Sequence, residues 1–308
     1  MRLAFFGTPE IAVPSLQALL ASHHEVDCVV TRPDRPAGRE RAMRPPAIVA
    51  PARGAGVEVL QPPKAGDCAA DLERRGLDIV IVVAYGGWLP PPVLRLGTHG
   101  CMNLHPSLLP RWRGAAPIER AIMAGDTTTG VATMAIDEGL DTGPLYLVVE
   151  APIHDGDTAL SLSDRLGRIG AHLVLATLDG IERGSLTPVD QPEDGVTYAD
   201  KLQPEDCRID WSGPATTVDA LVRGADPRPG AWTQAGGRRL KVWSARRLAT
   251  GEAGAAAPGT ALAASPFLVA AGDGVVEILE VQPDGKARMP AADYVRGQRV
   301  EAGARVFA

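Results

Sequence analysis

Three side chains near the middle of the sequence could do chemistry together. Asn103 and His105 lie two residues apart in Cys101-Met-Asn-Leu-His-Pro-Ser-Leu-Leu-Pro-Arg-Trp-Arg-Gly114, and Asp141 comes later in Asp137-Glu-Gly-Leu-Asp-Thr-Gly143. Alternate side chains of a strand share a face, so this spacing turns an amide and an imidazole the same way. Pro106 stops the strand, and Pro110 stiffens the segment leading away from it. Gly139 and Gly143 flank Asp141 and leave its loop free to bring a carboxylate to the same cleft. An uncharged amide donor, a ring that titrates near neutrality and a carboxylate can together polarise a carbonyl and move a proton. Each also has a plainer reading: a hydrogen-bonded structural histidine, a turn or cap asparagine, and an Asx-turn aspartate. Asp137 is the reserve carboxylate.

The elements that must position this trio are set by the apolar pattern. Short runs at Leu3–Phe6, Val26–Val30, Val57–Leu60, Asp78–Val83 and Cys101–Leu104 read as strands, with Gly130–Ile136 and Pro144–Val149 after them. The unbroken run Asp78–Val83 has the character of a strand buried on both faces of a parallel sheet. A helix opened by proline is expected from Pro14 to Leu20. A longer one runs from about Thr158 to Ile181, with Leu162, Leu166, Ile169, Leu173 and Ile181 on its apolar face. Strands alternating with helices imply an open α/β sheet whose ligands bind beyond the carboxyl ends of the strands. The first turn, Gly7-Thr8-Pro9-Glu10, lacks the GxGxxG that a dinucleotide pyrophosphate requires. That disfavours a nicotinamide site.

From Ser185 to about Gln203 the chain is polar and aperiodic, which reads as a linker. Beyond it a helix is expected at Ala215–Arg223, then β runs at Arg239–Ala245, Phe267–Ala271 and Val275–Val281. Asp273-Gly274 is a hairpin signal between the last two. The expected organisation is residues 1–184 as an α/β catalytic domain, 185–203 as linker, and 204–308 as a small β-barrel domain.

Composition sets outer limits. The 308 residues exceed the usual size of one compact domain, and 45% of them are hydrophobic. No apolar run approaches the roughly 18 residues that cross a bilayer, and no signal-peptide pattern opens the chain, so a cytoplasmic protein is expected. The cysteines Cys28, Cys68, Cys101 and Cys207 form no CxxC pair, and the six histidines show no HExxH spacing, so no metal is expected. A net charge of −6 argues against a broad grip on nucleic acid and leaves room only for local basic patches.

The stretch NLHPSLLPRWRGAAPI, Asn103 to Ile118, resembles the signature of the folate-dependent formyltransferases. FFGTPEIAVPSL, TRPDRPAGR from Thr31, VVAYGGWLP from Val82, GLDTGPLY from Gly139, TYADKL, RIDWS and GKARMPAADYVRG match that family in order, across essentially the whole chain. The resemblance implies a Rossmann-like formyltransferase domain followed by an OB-like barrel that binds tRNA. It implies 10-formyltetrahydrofolate as formyl donor, with Asn103, His105 and Asp141 as the catalytic trio. Ser107, Leu108, Leu109 and Pro110 would lie along the folate, with Gly87–Leu89 and the Asp137–Leu140 backbone near its pteridine. In that scheme Asn103 would donate to an oxyanion. His105, if protonated, could donate too and supply a proton to the departing folate nitrogen, with Asp141 as the carboxylate able to keep it protonated. The sequence leaves that protonation state open.

The resemblance also points to members whose acceptor is methionine on initiator tRNA; nothing in the sequence suggests an obligate dimer, so a monomer is expected. Arg39 matches an arginine by which such proteins reach the acceptor arm. The family often has glycine and lysines after it, whereas Glu40 and Arg41 stand here, so the loop is less basic. Arg238, Arg239, Lys241, Arg246 and Arg247 are candidate phosphate contacts, or ordinary solvent-facing positions. Trp112 and Arg113 flank the trio and could shape the methionine pocket. Three rivals stand beside this reading: a small amine acceptor such as glycinamide ribonucleotide or an amino sugar, water in a formyl-folate hydrolase, or an inactive RNA-binding module.

Overall fold

The structure, a computed structural model, describes residues 1–37, 42–248 and 254–307. The chain divides into two compact units. The first comprises Met1–Gly114, Thr128–Pro152 and Ser163–Tyr198, and the second Ala115–Thr127, Ile153–Leu162 and Ala199–Ala308. The second unit thus takes in two stretches that contiguous domain boundaries would assign to the first. Residues up to Tyr198 belong to the first unit, so much of the expected linker is part of a packed body.

The first unit is built on strands β1 (Arg2–Gly7), β2 (Glu25–Val30), β3 (Glu58–Leu60), β4 (Ile79–Val83), β5 (Cys101–His105), β6 (Thr128–Ala135) and β7 (Leu145–Pro152). They form one sheet in the order β7-β6-β5-β4-β1-β2-β3. The five strands from β3 to β5 run parallel, and β6 and β7 are antiparallel additions at the other edge. Every residue of β4 is buried, as its unbroken apolar run requires. Helix α1 (Val13–Leu20) starts with Pro14 in its first turn, where the missing N–H costs nothing.

Phe6, Val30, Val80, Val82 and Tyr85 pack together on one face of the sheet. Gly7 is explained by packing: a Cβ there would lie 2.8 Å from the Phe5 ring and 2.9 Å from Ala12 Cβ. Its neighbour Thr8 donates its hydroxyl to the Tyr85 carbonyl at 2.7 Å and so ties the first βα turn to the loop after β4.

Helix α2 (Pro117–Met123) belongs to the second unit, and α3 (Ala159–Glu182) is the long helix expected from the sequence. Later in the second unit come α4 (Ala215–Gly224), strands β8 (Ala231–Ala235), β9 (Arg238–Arg247), β10 (Ala261–Ala264), β11 (Phe267–Ala270) and β12 (Val275–Pro283), and helix α5 (Ala291–Gln298). The strands make an antiparallel sheet in the order β8-β9-β12-β11-β10, of OB-like character. Its core includes Trp211, Trp232, Leu240, Val242, Val276 and Phe307, with Trp211 stacked on Phe307 at 4.9 Å between centroids. The Asp273-Gly274 turn does join β11 and β12, and Asp273 Oδ1 also accepts the Ala215 N–H at 2.8 Å, which caps α4.

Strands β8 and β10 and helix α5 were not expected. Ala261-Leu-Ala-Ala264 has the composition of a helix, and only pairing with β11 makes it a strand. All four cysteines are free and buried, and burial pushes the thiols of Cys28 and Cys101 up to about 12. Among the described residues no helix is long and apolar enough to cross a membrane.

Candidate active site

Strand β5 pairs with β4 on one side and β6 on the other, Asn103 lying opposite Val82 and Met134. The strand is buried except at Asn103, which is half-buried. The Asn103 carboxamide makes no hydrogen bond to another described residue, which leaves its N–H groups free for a ligand. His105, two residues on, ends the strand and is 3% exposed.

The surroundings of His105 fix its tautomer. Its Nε2 lies 3.0 Å from the Trp112 carbonyl oxygen, which can only accept, so Nε2 carries the proton. Nδ1 is then the basic atom, and it faces Asp141 Oδ2 at 3.7 Å. Burial lowers the imidazole pKa from 6.5, outweighing the Asp141 carboxylate and the Trp112 carbonyl, which both raise it. The ring is therefore neutral at pH 7. Of the two protonation states that the sequence leaves open, burial favours the neutral one: a carboxylate beyond hydrogen-bond distance does not offset the loss of water around an enclosed ring.

Asp141 is held in place from two sides. Its Oδ2 accepts the Gly114 N–H at 2.8 Å, and its carbonyl accepts one from Gln191 Nε2 at 2.8 Å. Its backbone is left-handed, with φ +52, a conformation that aspartate tolerates better than most residues. Gly143 allows the loop to return to the sheet, because a Cβ there would sit 1.9 Å from the Ala135 carbonyl oxygen. Asp137, the reserve carboxylate, instead accepts hydrogen bonds from Gly139 N–H and the Thr142 hydroxyl, a local loop brace.

The segment after His105 is packed. Ser107 donates its hydroxyl to the Arg111 carbonyl at 2.7 Å, and Leu109 joins Ala132 and Met134 in an apolar cluster. Leu108 is half-buried over Gly130, and Pro110 is buried. Trp88, on the loop that leaves the carboxyl end of β4, is 76% exposed, and Leu140, on the loop that joins the antiparallel strands β6 and β7, is 57% exposed.

Gln191 is the residue that sequence reasoning missed. Its Nε2 donates to the carbonyls of Asp141 and Gly143, both at 2.8 Å, while its Oε1 accepts from Arg113 at 2.7 Å. One carboxamide thereby joins the two loops that carry Trp112 and Asp141. Thr197 adds a second tie, its hydroxyl accepting the Trp112 N–H at 2.9 Å. Both lie in a polar, aperiodic stretch, and nothing local in such a stretch signals a long-range partner. Arg113 is buried against Gln191 and so serves this clamp.

Arg39 and Arg41 lie outside the described residues, between the paired strands Arg35–Ala37 and Ala42–Arg44. Of the basic candidates in the second unit, Arg246 pairs with Glu277, and Arg247 is 3.7 Å from Asp155. Lys241 Nζ donates to the Pro229 carbonyl at 2.7 Å, and burial lowers its pKa. Arg238 and Arg239 are exposed. Arg239 lies over the Trp232 ring at 4.0 Å, and Arg288, unremarked in the sequence, lies over Trp243 at 3.5 Å.

Comparisons with known proteins agree with this architecture. Residues 1–178 match the family described as formyl transferase, and residues 201–299 match the formyl transferase C-terminal domain. The chain belongs to the formyl transferase family. A Streptomyces coelicolor protein named methionyl-tRNA formyltransferase is 49% identical over 310 residues, covering 99% of each chain. One of the same name from Jannaschia is 46% identical over 306 residues, covering 98% of this chain and 99% of that protein. Among solved structures, HypX from Aquifex aeolicus in complex with tetrahydrofolic acid superposes with a TM-score of 0.69 at 21% identity, covering 96% of this chain and 47% of that one. WlaRD, a sugar 3N-formyl transferase, gives 0.69 at 16% identity, covering 93% and 99%. These two likenesses bear on the fold.

Proposed function

We propose that this enzyme transfers the formyl group of 10-formyltetrahydrofolate to the α-amino group of methionine carried on initiator tRNA, in the cytoplasm and as a monomer. The observation that supports the chemistry is that Asn103, with an unbonded carboxamide, is two residues from the buried His105 on β5, whose Nδ1 lies 3.7 Å from the fixed Asp141 carboxylate. Full-length identity to relatives named for the reaction supports the acceptor.

The neutral amine attacks the formyl carbon, and the carbonyl oxygen becomes an oxyanion. Asn103 donates an amide N–H to that oxygen without bringing charge into the site. The nitrogen that has attacked becomes acidic, and His105 Nδ1, unprotonated in the resting site, takes its proton. Asp141, 3.7 Å away, stabilises the imidazolium as it forms. His105 then returns that proton to the folate nitrogen as its bond to the formyl carbon breaks. The products are the formamide and tetrahydrofolate. Trp88, Leu140 and the half-buried Leu108 supply apolar surface for the folate, backed by the packed Ser107, Leu109 and Pro110. The exposed Arg238 and Arg239 supply cationic contacts for tRNA phosphates.

An acceptor panel with 10-formyltetrahydrofolate tests this reading. Charged initiator tRNA, charged elongator tRNA, free methionine and glycinamide ribonucleotide are each offered to the enzyme. Formylation confined to the first is the expected result. Formate release without any amine, or turnover of a small amine alone, would replace it with one of the rival readings.

A further inference from the structure

A second cluster of titratable side chains lies in the first unit, at the opposite end of the sheet. The Asn103–His105 pair stands at the carboxyl end of β5, whereas His23 and His24 immediately precede β2, at the amino ends of the parallel strands. Facing them are Asp179 and Glu182, three residues apart in the last turn of α3. One ligand atom from each of the four side chains lies within 4.8 Å of the others. His23 Nε2 is 2.9 Å from Glu182 Oε2 and 3.8 Å from Asp179 Oδ1, and His24 Nε2 is 3.4 Å from that same Asp179 oxygen.

Salt bridges alone would account for the exposed members, but not for His24. Its side chain is fully buried, and its Nε2, aimed at Asp179, makes no hydrogen bond. A buried ring nitrogen without a hydrogen-bond partner is unfavourable in the folded chain. The opposite ring nitrogen is already engaged, Nδ1 lying 3.2 Å from the Met1 α-amino nitrogen. That same amino group holds the other oxygen of Glu182, Oε1, at 2.8 Å. The ammonium donates to both, so in the ion-free chain Nδ1 accepts and Nε2 carries the proton. Metal at Nε2 requires that proton to leave and Nδ1 to become the N–H donor, with the α-amino group deprotonated to accept from it.

We propose that His23, His24, Asp179 and Glu182 form a structural site for a divalent transition-metal ion of the zinc class. Two imidazoles and two carboxylates suit zinc, whose bonds of about 2.0–2.2 Å place tetrahedral ligands roughly 3.3–3.5 Å apart. The observed separations bracket that value. A cation is also favoured at the carboxyl end of a helix, where the carbonyl dipoles of α3 converge. His23 is exposed and gives the ion a way in from solvent. Once bound, the ion ties the turn between α1 and β2 to the end of α3.

Calorimetric titration of the untagged full chain with ZnCl2 tests the site, and Co2+ serves as a coloured probe. One zinc ion per chain is expected, with strong visible absorption from four-coordinate cobalt. His23→Ala, at an exposed position, and Asp179→Asn, which keeps the side-chain shape, should each weaken binding by about 100-fold or more. Equal affinity in both variants, no stoichiometric uptake by the parent chain, or the weak spectrum of six-coordinate cobalt would overturn the proposal.

Discussion

The molecule holds two buried histidines that each face an aspartate, His105 with Asp141 and His24 with Asp179, at 3.7 and 3.4 Å. Burial lowers the pKa of both rings. Histidine, aspartate and burial are therefore common to both places and do not mark a catalytic site. The difference lies in the remaining ring nitrogen and in the neighbours. His105 gives its Nε2 proton to a backbone carbonyl, which leaves a basic Nδ1 beside a half-buried, unbonded amide at the ligand-binding end of the sheet. His24 has the α-amino group on one nitrogen, no hydrogen bond on the other, and two further ligand-type side chains close by. One arrangement can pass a proton on, and the other can hold an ion.

The comparison can be broken most directly at His105. His105→Ala should lose on the order of 10²–10⁴ in turnover, the usual contribution of a positioned acid–base group, while still taking up one zinc ion. Single-turnover formylation and calorimetry on the same preparation would read both, and loss of zinc uptake would erase the distinction. Asn103→Ala should lose about 10²–10³ in kcat, the scale of one oxyanion donor. Near-normal turnover in that folded variant would remove the amide from the mechanism.

A smaller effect is expected from Gln191→Ala. Both loops would lose their shared tie, and kcat should fall on the order of 10-fold, since small misplacements of reacting groups are felt strongly. Gln191→Glu, which keeps the Arg113 contact but not the donation to Asp141 and Gly143, should recover only part of that loss. The smallest change is in pH dependence. The acid limb of kcat/KM reports protonation of His105, and burial places that limb below the ordinary value of 6.5. Asp141 raises the ring pKa, so Asp141→Asn should move the limb further down in pH as well as lowering the plateau. Movement upward would reverse the electrostatic assignment.

Much of the first unit was legible in the sequence, because buried parallel strands such as Ile79–Val83 are written as continuous apolar runs. Asn103 and His105 were legible as a pair because a strand has a period of two. Asp141 was legible as a flanked carboxylate, and the structure sets it beside His105. The protonation state of His105 was not, since it depends on how completely other segments enclose the ring. Gln191 and Thr197 were hidden for a related reason: their partners lie about 50 to 85 positions away, and a polar stretch carries no period. The metal-type cluster escaped a search for local spacing because its halves are separated by more than 150 residues.

The Gln191 clamp has a consequence for how the enzyme comes into being. All seven strands of the first unit's sheet precede residue 153, so a nascent chain halted at 184 already contains every strand of that sheet. It would still lack the amide that fixes the carbonyls of Asp141 and Gly143. The last-made residues of the first unit are therefore the ones that tie its two site loops together.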